Sequence, residues 1–377
     1  MHFLIPLVSS RYSVLTSFGA DLFNALKAIG CEATLFIENN ATPEGVVNDL
    51  ASIVRDKKIT HILSFNGAVF DLCGQDQFPN VTFIAWMVDY PAYHYPRLSN
   101  RLAKTCVVSA NEDHRYYIND ITTARFLCAL LPGASKRHIY PDSHIRQRPF
   151  DVVMVGSWMG EPVPFWEDKK TEFERKVIQE IVDESIQSEV ADVYLSVKRV
   201  FEKHQIARDT DPAGVSALIN SINDYLRRYT RLKMMVAIAS SGLKSLIVGE
   251  GWEKDFNFPQ LNFHASAQYQ HMPTIYENAK VAINLNSNSG ASERALQALA
   301  SGCHVFSFHG KSMQHIADQG HSVWLQNSSL PVSEIATALK QCVEKANADG
   351  AQEEFHHELK EWPVVARILV QQLLNDS

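Results

Sequence analysis

A polar loop that leads into a helix is the most informative segment of the sequence. The apolar run VAINLN is followed by SNSGAS at 287–292 and by ERALQALA at 293–300. Such a junction directs unpaired backbone N–H groups and the positive end of a helix dipole toward one point, which favours an anion. Arg294 in the first helical turn is unfavourable there unless an anion or Glu293 compensates it. The segment predicts a diphosphate site. The alternative is an Arg294–Glu293 salt bridge with Ser292 as the helix N-cap.

Two other strand ends are candidates for the same site. Gly156 and Ser157 follow the apolar run DVVMV at 151–155, where a glycine lets a phosphate approach the backbone closely. Gly249 and Glu250 follow SLIV, and the Glu250 carboxylate can accept a hydrogen bond from a ribose hydroxyl. The alternatives are an ordinary tight turn and a solvent-facing glutamate. The residues of the loop and helix assigned to the site are Asn286, Ser287, Asn288, Gly290, Ala291, Ser292, Arg294 and Gln297.

A carboxylate and an imidazole follow another strand. Asp89 comes directly after FIAWMV, and His94 follows five residues later. General-base catalysis needs such a group within hydrogen-bond reach of a reacting hydroxyl. The alternatives are a turn closed by an Asp89 side-chain hydrogen bond and a His94 ring packed beneath its tyrosine neighbours; we favour Asp89 over His94 as the base. Asn66 and Gly67, which follow SF at the end of a third strand, form either a second polar strand end or a tight turn.

Several familiar motifs fail on spacing. HGKS at 309–312 lacks the first glycine of a phosphate-binding P-loop, because position 305 is valine. Gly249 and Gly251 lack the third glycine of a dinucleotide fingerprint. The histidines at 304, 309, 315 and 321 are irregularly spaced, and Asp209-Thr210-Asp211 lies in a polar helical region. We therefore expect neither a metal site nor a bound cofactor.

Composition places the chain among ordinary globular proteins. It has 377 residues, 46% of them apolar, with 35 Lys and Arg against 42 Asp and Glu. This excludes a disordered tail protein and a strongly basic nucleic-acid binder, and the length predicts two domains. Six cysteines without C-x-x-C pairing favour a reducing compartment. No signal peptide or membrane span is expected, so we predict a cytoplasmic protein.

The order of elements predicts an α/β protein with parallel sheets. Near-continuous apolar runs alternate with helix-like segments, which is typical of sheets covered on both faces. The Pro-rich, charged segment at 131–150 breaks the alternation and marks the domain boundary. We expect one domain over 1–145, a second over 146–350 with a helical insertion at about 165–240, and C-terminal helices over 351–377 that pack back toward the first domain. The proline at 363 is expected to kink the last helical segment.

The segment HMPTIYENAKVAINLNSNSGASERALQALASGCHVFSF at 271–308 resembles the donor-binding half of GT-B glycosyltransferases, particularly the CgeB-like group. The resemblance extends to DVVMVGSW, SLIVGEGWE, SFNGAVFD and WMVDYPAYHYPRL, and so covers most of the chain outside the insertion. The matching positions of the central segment are Tyr276, Leu285, Asn286, Arg294, Ala298 to Ala300, and Gly302.

The resemblance implies a GT-B fold of two Rossmann-like domains and transfer of a sugar from a nucleotide-sugar donor, a substrate and not a cofactor, without a metal ion. It places the nucleobase near Tyr269 and His271, although Tyr269 is equally typical of a core residue. It gives the acceptor and the base to the N-terminal half. The residues expected there are Asp89 and His94 as base candidates, with Asn66, Gly67 and Tyr93 on the acceptor side.

One departure leaves other functions open. Many retaining GT-B enzymes carry two glutamates where this chain has Ser289 and Gln297. The alternatives are a nucleotide-sugar epimerase on the same fold and a non-catalytic GT-B-like scaffold with the helical insertion as its partner or dimerisation surface. The donor, the acceptor and the stereochemical outcome are not determined by these motifs.

Overall fold

The computed structural model describes residues 1–7, 14–37, 42–71, 77–99, 105–134, 142–187, 192–207, 211–286, 291–349 and 361–375. Two six-stranded sheets organise this part of the chain, and every strand pairing in them is parallel. The first sheet contains β1 (His2–Leu7), β2 (Glu32–Ile37), β3 (His61–Phe65), β4 (Thr82–Met87), β5 (Thr105–Ser109) and β6 (Arg125–Ala129). The second contains β7 (Phe150–Val155), β8 (Ser245–Val248), β9 (Leu261–His264), β10 (Ala279–Asn284), β11 (His304–Phe308) and β12 (Val323–Gln326).

Helices connect these strands. The described α-helices are α1 (Val14–Ala28), α2 (Pro43–Asp56), α3 (Tyr95–Leu98), α4 (His114–Ile121), α5 (Glu172–Gln187), α6 (Val193–Lys203), α7 (Pro212–Ser241), α8 (Trp252–Asp255), α9 (Met272–Tyr276), α10 (Glu293–Ala300), α11 (Lys311–Asp318), α12 (Val332–Asp349) and α13 (Trp362–Asn375).

The central strands are buried on both faces, as their continuous apolar runs predict. Phe3, Leu4 and Ile5 of β1 are fully buried, and so are Val152 and Met154 of β7. Consecutive strand residues point to opposite faces of a sheet, so both faces must be covered by helices. The predicted α/β class with two Rossmann-like domains is confirmed.

Each sheet reverses its strand order at one point. The first runs β2-β1-β3-β4-β5-β6, and the second runs β12-β11-β10-β7-β8-β9. When β7 to β12 are renumbered 1 to 6 and the second sheet is read from β9 to β12, its strand order is 3-2-1-4-5-6, the order of Rossmann folds. The order reverses between β7 and β10. Ligands of such sheets bind outside the carboxyl ends of the strands at that reversal.

Three described helices, α5 to α7, lie between β7 and β8, where a helical insertion was predicted. The second half of α7 is not peripheral to the sheet, because Met234, Met235 and Ile238 are fully buried in the core that also contains Val152 and Ile247. This half of α7 therefore serves as the crossover helix between two neighbouring parallel strands.

The chain divides into two compact units. Apart from the undescribed residues, the first comprises Met1–Gly133, Arg208–Ala217 and Lys360–Ser377, and the second comprises Ala134–Ala207 and Leu218–Leu359.

Helix α13 belongs to the first unit. Its Trp362 ring lies 5.6 Å from Phe18 and 6.1 Å from Trp86. A Cβ on Gly133 would come within 2.6 Å of the Trp362 ring, so the close approach requires glycine. The predicted kink at Pro363 is wrong: this proline is the second residue of α13, where its fixed φ and missing N–H suit the first turn.

Candidate functional site

The ends of β7 and β8 approach each other through two glycines. Gly156 donates its N–H to the carbonyl of Val248 at 2.8 Å, and Gly249 donates to the carbonyl of His264 at 3.0 Å. Their φ angles are +153° and +147°, in the region that favours glycine. A Cβ on Gly249 would lie 2.4 Å from the Gly156 carbonyl oxygen. Gly249 is therefore required by backbone packing, whether or not a ligand binds beside it.

Side chains of the second unit hold these two strand ends. The Trp252 Nε1 donates to the Gly156 carbonyl at 2.6 Å, and the Glu250 N–H donates to Ser157 Oγ at 3.3 Å. The Trp158 N–H donates to the Glu250 carbonyl at 2.9 Å. Glu250 itself is exposed, so its carboxylate can reach a ligand.

Arg294 extends from α10 to the end of β7. Its Nη1 donates to the carbonyl of Val155 at 3.1 Å, and its Nε lies 3.3 Å from the Glu293 carboxylate. The Glu293 contact that the sequence offered as an alternative is therefore present. The side chain also points at the strand reversal between β7 and β10, where it remains 31% exposed.

A second arginine, Arg231 of α7, reaches the same place. A Cβ on Gly156 would lie 3.5 Å from Arg294 Nη1 and 3.5 Å from Arg231 Nη2. Arg231 is 5% exposed, and its Nη1 donates to the carbonyl of Arg227 at 3.1 Å. We call Arg231 and Arg294 the arginine pair. Two guanidinium groups next to one glycine form a concentrated positive charge that suits a phosphate.

The arginine pair includes a residue that sequence reasoning missed. Arg231 lies in RRYTRLK, in a segment with no functional signature, and only the packing of α7 on the second sheet brings it to Gly156. Arg228, one turn earlier on α7, lies beside the segment that follows β7, because a Cβ on Gly160 in that segment would be 3.1 Å from Arg228 Nη1. A run of basic residues in the predicted helical insertion was the available signal.

The start of α10 is fixed by polar side chains. Ser292 is the N-cap, as the sequence allowed: its Oγ accepts from the Ala295 N–H at 3.2 Å and donates to Asn284 Oδ1 at 3.1 Å. The Asn286 N–H also donates to Asn284 Oδ1, at 3.3 Å. Asn284, 2% exposed, was not among the predicted residues. Capping by Ser292 orients the helix N-terminus toward the end of β10.

The loop before α10 is described only in part. Residues 287–290 lie outside the described residues, so the assignment of Ser287, Asn288 and Gly290 to the site stays a prediction. Ala291 follows them and donates its N–H to Ser312 Oγ at 2.8 Å. Ser312 belongs to the HGKS segment that failed as a P-loop.

The predicted nucleobase and ribose residues differ in exposure. Tyr269 is only 8% exposed, as expected of a core residue, whereas His271 is exposed. Gln297 is 2% exposed, and its Nε2 makes no hydrogen bond to the described part of the chain. Burial, the largest effect, raises the pKa of Tyr276, and the positive charge of Arg294 opposes that rise.

In the first unit, Asn66 and Asp89 are brought together at the ends of β3 and β4. Asn66 Oδ1 accepts the N–H groups of Val88 and Asp89 at 3.0 and 3.2 Å, and its Nδ2 donates to Asp89 Oδ2 at 2.7 Å. Asn66 and Gly67 have φ of +53° and +61°. The tight turn given as the alternative therefore exists, and it also positions Asp89.

Further charged side chains complete this group. His94 Nε2 lies 3.8 Å from Asp89 Oδ2, and His94 Nδ1 lies 3.2 Å from Arg97 Nη1. Arg97 forms a bidentate salt bridge with Asp71. We call Asn66, Asp71, Asp89, His94 and Arg97 the Asp89 network. The side chain of Asp89 is 59% exposed and that of His94 is 15% exposed.

Tyr93, the other predicted acceptor-side residue, is half-buried next to His94 and donates its N–H to the carbonyl of Tyr90 at 3.1 Å. Within the described ranges, no cluster of three or more His, Cys, Asp or Glu side chains could hold a metal ion.

Comparison with known proteins gives one family match. Residues 227–375, less than half of the chain, match the family described as glycosyl transferase-like. The comparison with curated proteins finds no match. None of the described helices is long and apolar enough to cross a membrane.

Three solved structures share the architecture. Sucrose-phosphate synthase from Thermosynechococcus elongatus is 12% identical, with 100% of both chains covered and a TM-score of 0.56. HepE from Anabaena, solved in complex with UDP-glucose, is 9% identical, with 100% of both chains covered and a TM-score of 0.56. AviGT4, a glycosyltransferase involved in avilamycin A biosynthesis, is 10% identical over 100% of this chain and 98% of that chain, with a TM-score of 0.52.

At these identities the likeness concerns the fold, which is GT-B: two Rossmann-like domains in one chain. The family match over residues 227–375 supports an enzyme of the glycosyltransferase class. Fold alone does not define a substrate.

Proposed function

We propose that this protein is a glycosyltransferase that uses a nucleotide sugar as its donor. The observation that carries the proposal is the arginine pair, whose two guanidinium groups meet at Gly156 beside the strand reversal of the second sheet. Rossmann-type sheets bind nucleotides at this reversal, and a guanidinium binds phosphate oxygens through paired hydrogen bonds. The diphosphate of the donor would lie between the arginine pair and the N-terminus of α10.

The same groups suit the chemistry of transfer. As the bond from the anomeric carbon to the diphosphate breaks, negative charge develops on the leaving group, and fixed positive charge stabilises it. The two arginines supply that charge from the protein, so we propose transfer without a metal ion. Activity that survives exhaustive chelation would support this, and activity that requires added Mg²⁺ or Mn²⁺ would contradict it.

The Asp89 network would activate the acceptor. Asp89 and His94 are the base candidates there, since the remaining carboxylate, Asp71, is engaged by Arg97. The acceptor oxygen bonds to the anomeric carbon, the proton passes to the base, and the diphosphate leaves with the electron pair of the broken bond.

Finer assignments extend the same proposal. The matches of the central segment favour the CgeB-like group within the GT-B enzymes. UDP-glucose, present in the HepE structure, is the first donor to test, followed by other nucleoside diphosphate sugars. The six cysteines without C-x-x-C pairing support a reducing compartment such as the cytoplasm.

Binding and turnover test the proposal together. Thermal shift and calorimetry with UDP, GDP, ADP and their sugar conjugates should show stabilisation by at least one of them. Arg294→Ala should weaken that binding by about tenfold or more, since a charge-assisted hydrogen bond is worth roughly 1.5–3 kcal/mol.

A matched control lies on α7. Arg227 is on the same helix as Arg231, and its side chain is 4.0 Å from Asp224, so Arg227→Ala should leave nucleotide affinity unchanged. If no nucleotide binds, or if Arg294→Ala binds as well as the wild type, the proposal is wrong. Epimerisation of the donor without an acceptor would instead support the epimerase.

A further inference from the structure

Arg97 is held in one orientation by acceptors in the segment that follows β3. Its Nε donates to Asp71 Oδ1 at 3.0 Å and its Nη2 to Asp71 Oδ2 at 2.5 Å. Its Nη1 donates to the carbonyl of Asn66 at 3.0 Å. A bidentate salt bridge fixes both the position and the plane of a guanidinium.

The fixed Arg97 determines which nitrogen of His94 carries the proton. Arg97 Nη1 lies 3.2 Å from His94 Nδ1. A guanidinium has N–H donors and no acceptor, so Nδ1 must offer its lone pair. In the neutral imidazole the proton is then on Nε2.

The protonated nitrogen faces Asp89. His94 Nε2 is buried, makes no hydrogen bond to the described residues, and lies 3.8 Å from Asp89 Oδ2. Contacts of this kind are often long before substrate binds and shorten in the complex. Asn66 Nδ2 already donates to the same oxygen at 2.7 Å, so two donors point at Asp89 Oδ2.

We propose that Arg97 is a positioning residue that keeps the proton of neutral His94 on Nε2, so that Asp89 and not His94 takes the proton of the acceptor. This rests on the proposed function and decides between its two base candidates. His94 Nε2–H has no lone pair for the acceptor's proton and supports the Asp89 carboxylate. The proton moves from the acceptor hydroxyl to Asp89 as the acceptor oxygen bonds to the anomeric carbon and the diphosphate departs.

The tautomer is measurable without any substrate. In the full chain labelled with 15N-histidine, at a pH where imidazoles are neutral, His94 should show the pattern of a protonated Nε2 and an unprotonated Nδ1. Arg97→Met should turn this into a mixture of tautomers, whereas Arg97→Lys, which keeps a donor, should largely preserve it. The exposed His271 is the internal reference and should not change. A protonated Nδ1 in the wild type, or no response to Arg97→Met, would overturn the proposal.

Kinetics give an independent readout. Asp89→Asn should lower kcat by about 10²- to 10⁴-fold, the usual contribution of a general base, with donor affinity retained. His94→Gln keeps an N–H donor but is not a base, so it should cost less than about tenfold, and His94→Leu should cost more. If His94→Gln is as inactive as Asp89→Asn, His94 is the base and the proposal fails. If the wild type transfers no sugar from any nucleotide sugar, the proposed function fails, and the NMR experiment still decides the tautomer.

Discussion

Arg231 and Arg294 come from two different helices, yet each places a guanidinium nitrogen 3.5 Å from the position that a Cβ on Gly156 would occupy. Like charges so close repel each other, and in a site as buried as that of Arg231 the repulsion is larger than in water. A bound phosphate would attract both guanidinium groups and so offset this repulsion. The pair is therefore the part of the second unit with the clearest physical reason to bind an anion.

Binding to the two arginines should be cooperative. Arg231→Met and Arg294→Met should each weaken nucleotide diphosphate binding by roughly 1.5–3 kcal/mol. Because both side chains act on one ligand, the double variant should depart from the sum of the single effects by about 0.5–3 kcal/mol. Calorimetric titration of all four proteins measures this coupling. Strict additivity would show that the two arginines do not share a ligand.

Two glycines with positive φ should respond differently to a methyl group. A Cβ on Gly249 would lie 2.4 Å from the Gly156 carbonyl oxygen, whereas a Cβ on Gly30 would meet nothing within 4 Å. Gly30→Ala should therefore cost only backbone strain, about 1–3 kcal/mol, and Gly249→Ala should cost that plus a backbone displacement of similar size. Denaturant unfolding of both variants checks the order. Equal losses would mean that the two strand ends are farther apart than described.

Asn66 should matter for both positioning and backbone conformation. Its side chain makes three hydrogen bonds to the end of β4, and its φ is +53°. Asn66→Gly keeps the backbone and loses those bonds, so kcat should fall while KM for the donor stays constant. Asn66→Ala should lower kcat similarly and also reduce stability by about 1–2 kcal/mol relative to Asn66→Gly. Wild-type kcat in Asn66→Gly would exclude a positioning role.

Acid should destabilise the first unit through two histidines, the buried His114 and the half-buried His61. Burial lowers the pKa of His114 to about 3 and, together with the charge of the N-terminus, that of His61 to about 4. In the unfolded chain both titrate near 6.5. Between pH 6.5 and these values the unfolded chain binds more protons than the folded chain. The free energy of unfolding should therefore fall as the pH falls through that window.

Denaturant titrations across this pH range measure how steeply the free energy of unfolding changes with pH. His114→Gln should flatten this slope, since that variant removes a group with a large difference between its folded and unfolded pKa. The matched control is His271→Gln, because His271 is exposed. A slope that does not change in His114→Gln would assign the acid sensitivity to other groups.

Much of the architecture follows from local sequence patterns. Continuous apolar runs placed the strands within a few residues of β7, β10 and β11, because a strand covered on both faces needs apolar side chains at every position. The capping role of Ser292 was also visible, since a serine before a helical stripe supplies the missing acceptor. Pro363 shows the limit of such patterns, because a proline can kink a helix or begin one, and the preceding backbone decides which.

The composition of the candidate site depended on tertiary packing. Sequence placed Arg294 and Asp89 after strands, but it offered no reason to select Arg231 or Arg97. Arg231 reaches Gly156 only because the second half of α7 packs on the second sheet, and Arg97 reaches His94 only because Asp71 and the Asn66 carbonyl orient it. Local order along a chain determines which residues end a strand. Which charged side chains meet there depends on strand order and helix packing, because these bring together groups that are far apart in sequence.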